Sequence, residues 1–480
     1  MNKLRLLFTA ATMLSLVAGT AYAGRIMGMQ GDPETSTGVG MAKTLSGFEE
    51  VGSPYTGAQG LEGESAAPFS VPAPGTINMR INSFVNEFPM AMWWTGMNGA
   101  GTGTPNKQQP YGVYGWIRVD IGIDGETKSG IEYGAFTEIR ENNTTSIGGG
   151  TAPAAASGFA QSASGDSGDN TLYVRHAFVY IGTKEAGFVR MGSVVNAMTL
   201  YEMGLSDDMD LGGWISFGSG GAAAPAQATP IWPWADNGGA YMAAGIAYVS
   251  PVIDGFDAGI SFEPNNSTPL DGNGCTEYAG CATQSSSVNT GDLKSRYRNM
   301  LNIALRYRNT FGPVGLALSG IWTTSGRVNN ATGLAANNYD NLDLGDVGTE
   351  VSINHSLSLE GNVMWGSINN NWQLKPEGGA NAVAWTAGIK YTFLAAPVTI
   401  GTYYFNYKYQ GIPNTFGSQQ VSQGVDGAVV YGLGPGVALL AEAAWGQVHQ
   451  SGFNLLTSTA SGAYNTVDAK VITAGMSVRF

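Results

Sequence analysis

The sequence predicts an all-β chain, a sixteen-stranded antiparallel transmembrane β-barrel over residues 76–480. Three observations carry this. Apolar and polar residues alternate with a period of two in sixteen separate stretches. The connections between those stretches are alternately short and long. Composition suits strands with one greasy face and one wet or small face: of 480 residues 70 are glycine, 12% are charged and 10% aromatic. Neither a helical bundle nor a disordered tail has that balance.

Residues 1–23 read as a secretory signal. Lys3 and Arg5 give the positive start, 6–17 the apolar run, and Ala21-Tyr22-Ala23 the small-residue cleavage site, so the mature chain begins at Gly24. No other run approaches the ~18 apolar residues of a membrane helix. If this chain crosses a membrane, it crosses as strands. Residues 24–75 form a leader rich in Gly, Pro, Ser and Glu, with one marginally helical run at 41–51. Three readings stay open for it: a flexible periplasmic leader, a segment folded into the lumen, or extra strands.

From Thr76 the period is two. Ile77, Met79 and Ile81 alternate with Asn78 and Arg80. Residues 113–124 alternate around Arg118 and Asp120, and 131–140 around Glu132, Glu138 and Arg140. Residues 173–181 and 188–195 follow, carrying Arg175 and Arg190 and joined by the polar turn 183–187. The pattern resumes at 242–248, 256–263, 301–308, 314–322, 347–354 and 357–365. It continues through 383–393, the aromatic row Tyr403, Phe405, Tyr407 and Tyr409, then 425–431, 437–445 and 472–480. Each stretch approaches the roughly ten residues a tilted membrane strand needs. Long connections at 92–110, 141–170, 196–240, 264–298, 326–344, 367–381, 410–422 and 449–468 alternate with turns of a few residues. Membrane barrels have this asymmetry, with short turns inside and long loops outside; a soluble sandwich has no reason for it. Aromatics near strand ends (Trp365, Trp385, Phe393, Tyr407, Tyr409 and Trp445) read as interfacial girdles.

Lipid-facing positions must be apolar, because no water reaches them. The opposite parity therefore lines the lumen. It carries Arg80, Arg118, Arg140, Arg175, Arg190, Arg306, Arg308, Lys390, Lys408 and Arg479, against Asp120, Glu132, Glu138, Asp257, Glu263, Glu350, Glu360 and Glu442. The five arginines of the first five strands would form one basic wall. The long loop after Val195 brings Glu202, Asp207, Asp208 and Asp210. Cations on a wall followed at once by an acidic loop are what a narrowed aqueous channel requires, since charge rings set ion preference. The alternative for each arginine is an ordinary lumen residue balanced by a neighbour.

Two groups of residues resemble a known family. The R-x-A-x-V run at 175–179, the F-V-R-M-G run at 188–192 and the loop after them resemble the fourth and fifth strands and third loop of general Gram-negative diffusion porins. The closing alternation VITAGMSVRF, ending on Phe480, resembles that family's C-terminal strand. The resemblance implies an outer-membrane homotrimer, a third loop folded into the lumen with its acids facing the arginines, and passive diffusion of ions and small hydrophilic solutes. The family's acidic loop motif is not reproduced letter for letter, and residues 214–239 make the loop longer than usual.

Other chemistries find little support. Lysine and arginine number 23 against 36 acidic residues, a net charge of −13, which argues against nucleic acid as a partner. The three histidines, His176, His355 and His449, have no nucleophile motif around them, and no phosphate loop, HExxH or CxxC spacing occurs. No cofactor or metal is called for. Asp340, Asp343 and Asp346 offer hard oxygens to Ca²⁺ in an external loop, or are simply a solvated acidic loop. Cys275 and Cys281 are the only cysteines, and two close cysteines in a secreted chain most often close one disulfide. A substrate-specific channel and a structural or adhesive barrel acting through its external loops remain as alternative functions.

Overall fold

The computed structural model describes residues 73–97, 111–144, 173–183, 185–205, 230–234, 242–264, 297–327, 339–354, 356–370, 372–393, 395–411, 418–434, 437–457 and 459–479. The signal, nearly all of the leader, Asp207, Asp208, Asp210, Cys275 and Cys281 lie outside these residues.

The strands are β1 (Ile77–Trp94), β2 (Tyr111–Glu126), β3 (Glu132–Thr144), β4 (Tyr173–Thr183), β5 (Gly187–Val195), β6 (Met242–Val249), β7 (Phe256–Glu263) and β8 (Tyr297–Phe311). There follow β9 (Val314–Arg327), β10 (Leu342–Ile353), β11 (Leu357–Gly366), β12 (Ile368–Asn369), β13 (Gln373–Leu374) and β14 (Ala382–Thr392). The chain ends with β15 (Val398–Tyr409), β16 (Gln420–Gly434), β17 (Val437–Gln450), β18 (Phe453–Asn454), β19 (Thr459–Ala460) and β20 (Thr466–Arg479). Sixteen of these form one closed antiparallel barrel, each pairing with its neighbour in the chain, and β1 pairs with β20 to close it. The two-residue strands make separate hairpins, β12–β13 and β18–β19, inside two of the long connections. Each of the sixteen barrel strands overlaps one of the sixteen alternating stretches, and β1, β3, β10, β16, β17 and β20 run on into segments expected to be long connections; the short turns all fall at one end of the barrel.

Closure satisfies every ladder and removes the edges, which is the condition for strands in lipid. The outward parity is apolar over most of the circumference: Met79, Ile123, Val179, Ile260, Leu318, Val347, Trp365 and Ile389 are among its exposed side chains. The inward parity is buried and holds Glu132, Glu138, Arg190, Asp257, Glu263, Arg306, Arg308, Glu350, Glu360, Lys390 and Glu442, as predicted, with Asp124, Asp346 and Asp426 in addition. Val347, midway along β10, tests the assignment. Val347→Arg is expected to cost about 2–4 kcal/mol as the cation enters hydrocarbon, read as a lower urea midpoint for protein folded into lipid vesicles.

Several expectations are overturned. In β15 Tyr403, Phe405, Tyr407 and Tyr409 point inward and are buried, while Lys408 on the opposite parity is exposed outside. Tyr407 and Tyr409 are therefore not girdle residues, and Lys408 is not a lumen cation. The reason is that this sector of the interior is filled by apolar loop segments, so its inward face is greasy. The same inversion occurs in β4, where Phe178 and Tyr180 pack inward against Phe136 and Phe188, and Val179 and Ile181 face out. His449 does not open a loop; it lies within β17, its Nδ1 2.8 Å from the Thr466 hydroxyl. Of the three aspartates suggested for Ca²⁺, Asp343 is exposed and Asp346 buried on the opposite parity of β10. Asp340 pairs with Lys375, Asp343 accepts from Trp322 Nε1 (2.7 Å), and Asp346 inside the barrel accepts from Asn362 (3.0 Å).

Candidate channel constriction

The connection leaving β5 turns into the barrel because its sequence leaves it no alternative. After Val195 come Ala197, Met198, Leu200, Tyr201, Met203 and Leu205, apolar on every side, and such a segment must be buried. Asn196 starts the turn as an N-cap: its side chain accepts from the Thr199 amide at 3.0 Å. The short helix α1 (Ala197–Tyr201) follows, all five residues buried, and Glu202 closes it with its amide bonded to the Met198 carbonyl at 2.9 Å.

The helix rests on β7, β8 and β9. Ser261 Oγ accepts from the Ala197 amide (2.9 Å), and the Tyr201 hydroxyl donates to the Ala258 carbonyl (2.6 Å). The Tyr201 ring lies against Arg306, with the guanidinium carbon 5.2 Å from the ring centroid. Arg306 is fixed from below by a two-pronged pair with Asp257, at 3.2 Å through Nε and 2.7 Å through Nη2, and Arg308 shares the same carboxylate at 3.4 Å. Burial pushes the Tyr201 hydroxyl well above its ordinary pKa, with Asp257 adding to the rise and Arg306, Arg308 and Arg190 opposing it. These charges, read from the sequence as lumen lining, are a platform beneath the loop.

Beyond the helix the backbone runs flush against β10 and β11. Gly204 takes a φ of +76°, and any Cβ on it would strike the carbonyls of Gly361 and Thr349. Gly348 on the wall leaves room for the Met203 carbonyl, which also accepts from Asn362 Nδ2 at 3.0 Å. The loop returns to the same asparagine: Trp234 Nε1 donates to Asn362 Oδ1 at 2.7 Å. Trp232 meets the rings of Tyr403 and Phe405 edge-on at 5.5 and 5.2 Å. Tyr403 and Phe405 of the inward aromatic row of β15 are thus covered by the loop, and they anchor it instead of offering a bare surface to a solute.

The predicted charged residues fare unequally. Arg190 is buried on the inward face of β5, 5.5 Å over the Phe178 ring. Glu202 is buried at the end of α1. Arg80, Arg118 and Arg140 occupy β1, β2 and β3, with Arg118 directly opposite Arg140; their side chains lie outside the described residues. Arg175 falls where the β3–β4 register slips, between His176 opposite Glu138 and Val174 opposite Ile139. It is the extra residue of a bulge, so plain alternation does not assign its face. Sequence reasoning missed Asn362, Trp234 and Gly348. Trp234 stood in a conspicuous Ile231-Trp232-Pro233-Trp234 run, but nothing marked its partner.

A family model described as Gram-negative porin matches residues 10–449. This chain belongs to the Gram-negative porin family. Membership makes it a channel protein of the bacterial outer membrane, and the short-turn and long-loop ends of the barrel fit that setting. Among solved structures it is similar to the anion-selective porin from Comamonas acidovorans, at 13% identity and a TM-score of 0.49, covering 84% of this porin and 100% of that chain. A triple mutant of the Rhodopseudomonas blastica porin gives 16% identity and a TM-score of 0.45 over the same shares. No curated protein sequence matches.

Proposed function

We propose that this porin carries ions and small hydrophilic solutes by passive diffusion through a water-filled lumen that its third loop narrows. The observation that carries the reading is the docking of α1 and of residues 230–234 inside the barrel, against walls β7–β11 and β15. Sixteen strands would otherwise leave a wide aqueous channel. In this reading Asp207, Asp208 and Asp210, with Glu202, face the arginine side made by Arg80, Arg118, Arg140, Arg175 and Arg190. The transverse field between them orders water and favours polar solutes. The working unit is a homotrimer, needs no cofactor, and its two cysteines close a disulfide in an external loop.

Planar-bilayer recording under a salt gradient tests this. Purified protein is expected to insert in discrete ohmic steps; their absence would favour a structural barrel. Neutralising Asp207, Asp208 and Asp210 to asparagine is expected to move the reversal potential toward anions. An unmoved potential would place those acids away from the eyelet.

A further inference from the structure

We infer that the hairpin β12–β13 is a strap that holds the third loop in place, with Trp372 as its positioning residue. The inference rests on the reading of that loop as the constriction. Two strands of two residues each cannot hold a hairpin by themselves, and the turn between them is strained. Asn370 and Trp372 have φ of 47° and 56°, conformations that a bulky residue rarely adopts. Such strain persists only where the surroundings over-determine it.

The surroundings here are the third loop on one side and the barrel wall on the other. Trp372 is fully buried, and its Nε1 donates to the Pro233 carbonyl at 2.7 Å. That carbonyl lies between Trp232 and Trp234, the two rings that seat the loop on β15 and β11. Toward the wall, Asn369 exchanges two bonds with Gly411, its Nδ2 donating at 3.0 Å and its Oδ1 accepting at 2.8 Å. The Tyr407 hydroxyl donates to the Asn370 carbonyl at 3.0 Å. Ile368 and Leu374 join the same apolar cluster as Trp232 and Trp234. At the base, Lys375 pairs with Asp340 and donates to the Gly379 carbonyl at 2.8 Å. The strap therefore bridges β15 and the returning arm of the third loop. Trp372 is the side chain through which it grips the loop's backbone.

The test is single-channel recording on the full-length protein, with barrel folding checked by the heat-modified shift on a gel. Trp372→Ala is expected to keep that shift yet raise the unit conductance, add open-level noise and reduce the salt-gradient potential, because the loop's return arm is released. Trp372→Phe, which keeps an aromatic ring but loses the donor and part of the indole's volume, is expected to fall between Trp372→Ala and the native conductance. If Trp372→Ala fails to fold, the double variant Asn369→Ala/Tyr407→Phe decides, since it removes the strap's hydrogen bonds to β15 and to Gly411 just beyond it and alters no residue of the third loop: raised conductance supports the strap, and native conductance overturns it. Native conductance and selectivity in a folded Trp372→Ala barrel likewise overturn it. That failure is distinct from failure of the channel reading, which would show as no conductance steps in the unmutated protein.

Discussion

Replacing Asp257 with alanine is expected to destabilise the folded barrel by about 3–5 kcal/mol, the usual effect of removing one partner from a buried ion pair. Asp257 is buried and carries the bonds of both Arg306 and Arg308. Without it two guanidinium groups remain side by side in the wall, each opposing the charge of the other. The loss should appear as a lower urea midpoint for protein refolded in lipid vesicles. The double variant Asp257→Ala/Arg306→Met should recover part of it, because exchanging a buried pair for apolar groups costs far less than breaking it. A single variant as stable as the native protein would show that the pair does not hold the wall. The effect reaches the pore as well, since Tyr201 and α1 rest on Arg306.

Gly348→Ala separates the loop from the barrel. A Cβ at this position would run into the Met203 carbonyl oxygen, backbone against side chain with no flexible group to yield. Over-packing of this kind costs about 1–3 kcal/mol, and here the cost falls on the loop's docking, because β10 keeps its pairing with β9 and β11. The expected result is a native urea midpoint with altered unit conductance. A lowered midpoint with unchanged conductance would mean that the wall, not the loop, absorbs the clash. The contrast with Asp257→Ala is the useful part: one variant weakens the barrel, the other displaces what sits inside it.

The barrel was legible because lipid imposes a simple rule on every strand. In β9, β10 and β11 one parity is exposed and mostly apolar, Asp343 at the start of β10 excepted, and the other buried, and the order of residues alone showed both the strands and their faces. The rule fails where the lumen is not wet. Tyr403, Phe405, Tyr407 and Tyr409 alternate as clearly as any stretch, yet they are greasy on the inside because Trp232, Trp234 and the strap cover them. Period two reports that a strand exists; it reports the direction of its faces only when one environment is water and the other is lipid. At Arg175 even the period is interrupted, since a single extra residue in the ladder shifts every face beyond it.

By itself the order of residues determined sixteen membrane-crossing strands, their turns, and a polar set of side chains that includes Arg190, Asp257 and Glu350. Only the folded chain decided that Asn362 holds both arms of the third loop, that Arg306 supports a helix instead of lining a passage, and that the connection 367–381 grips the loop from behind. The physical reason is range. Alternation is a property of adjacent residues, each meeting its own surroundings. Those contacts join residues 103 to 159 positions apart, and no local pattern specifies them.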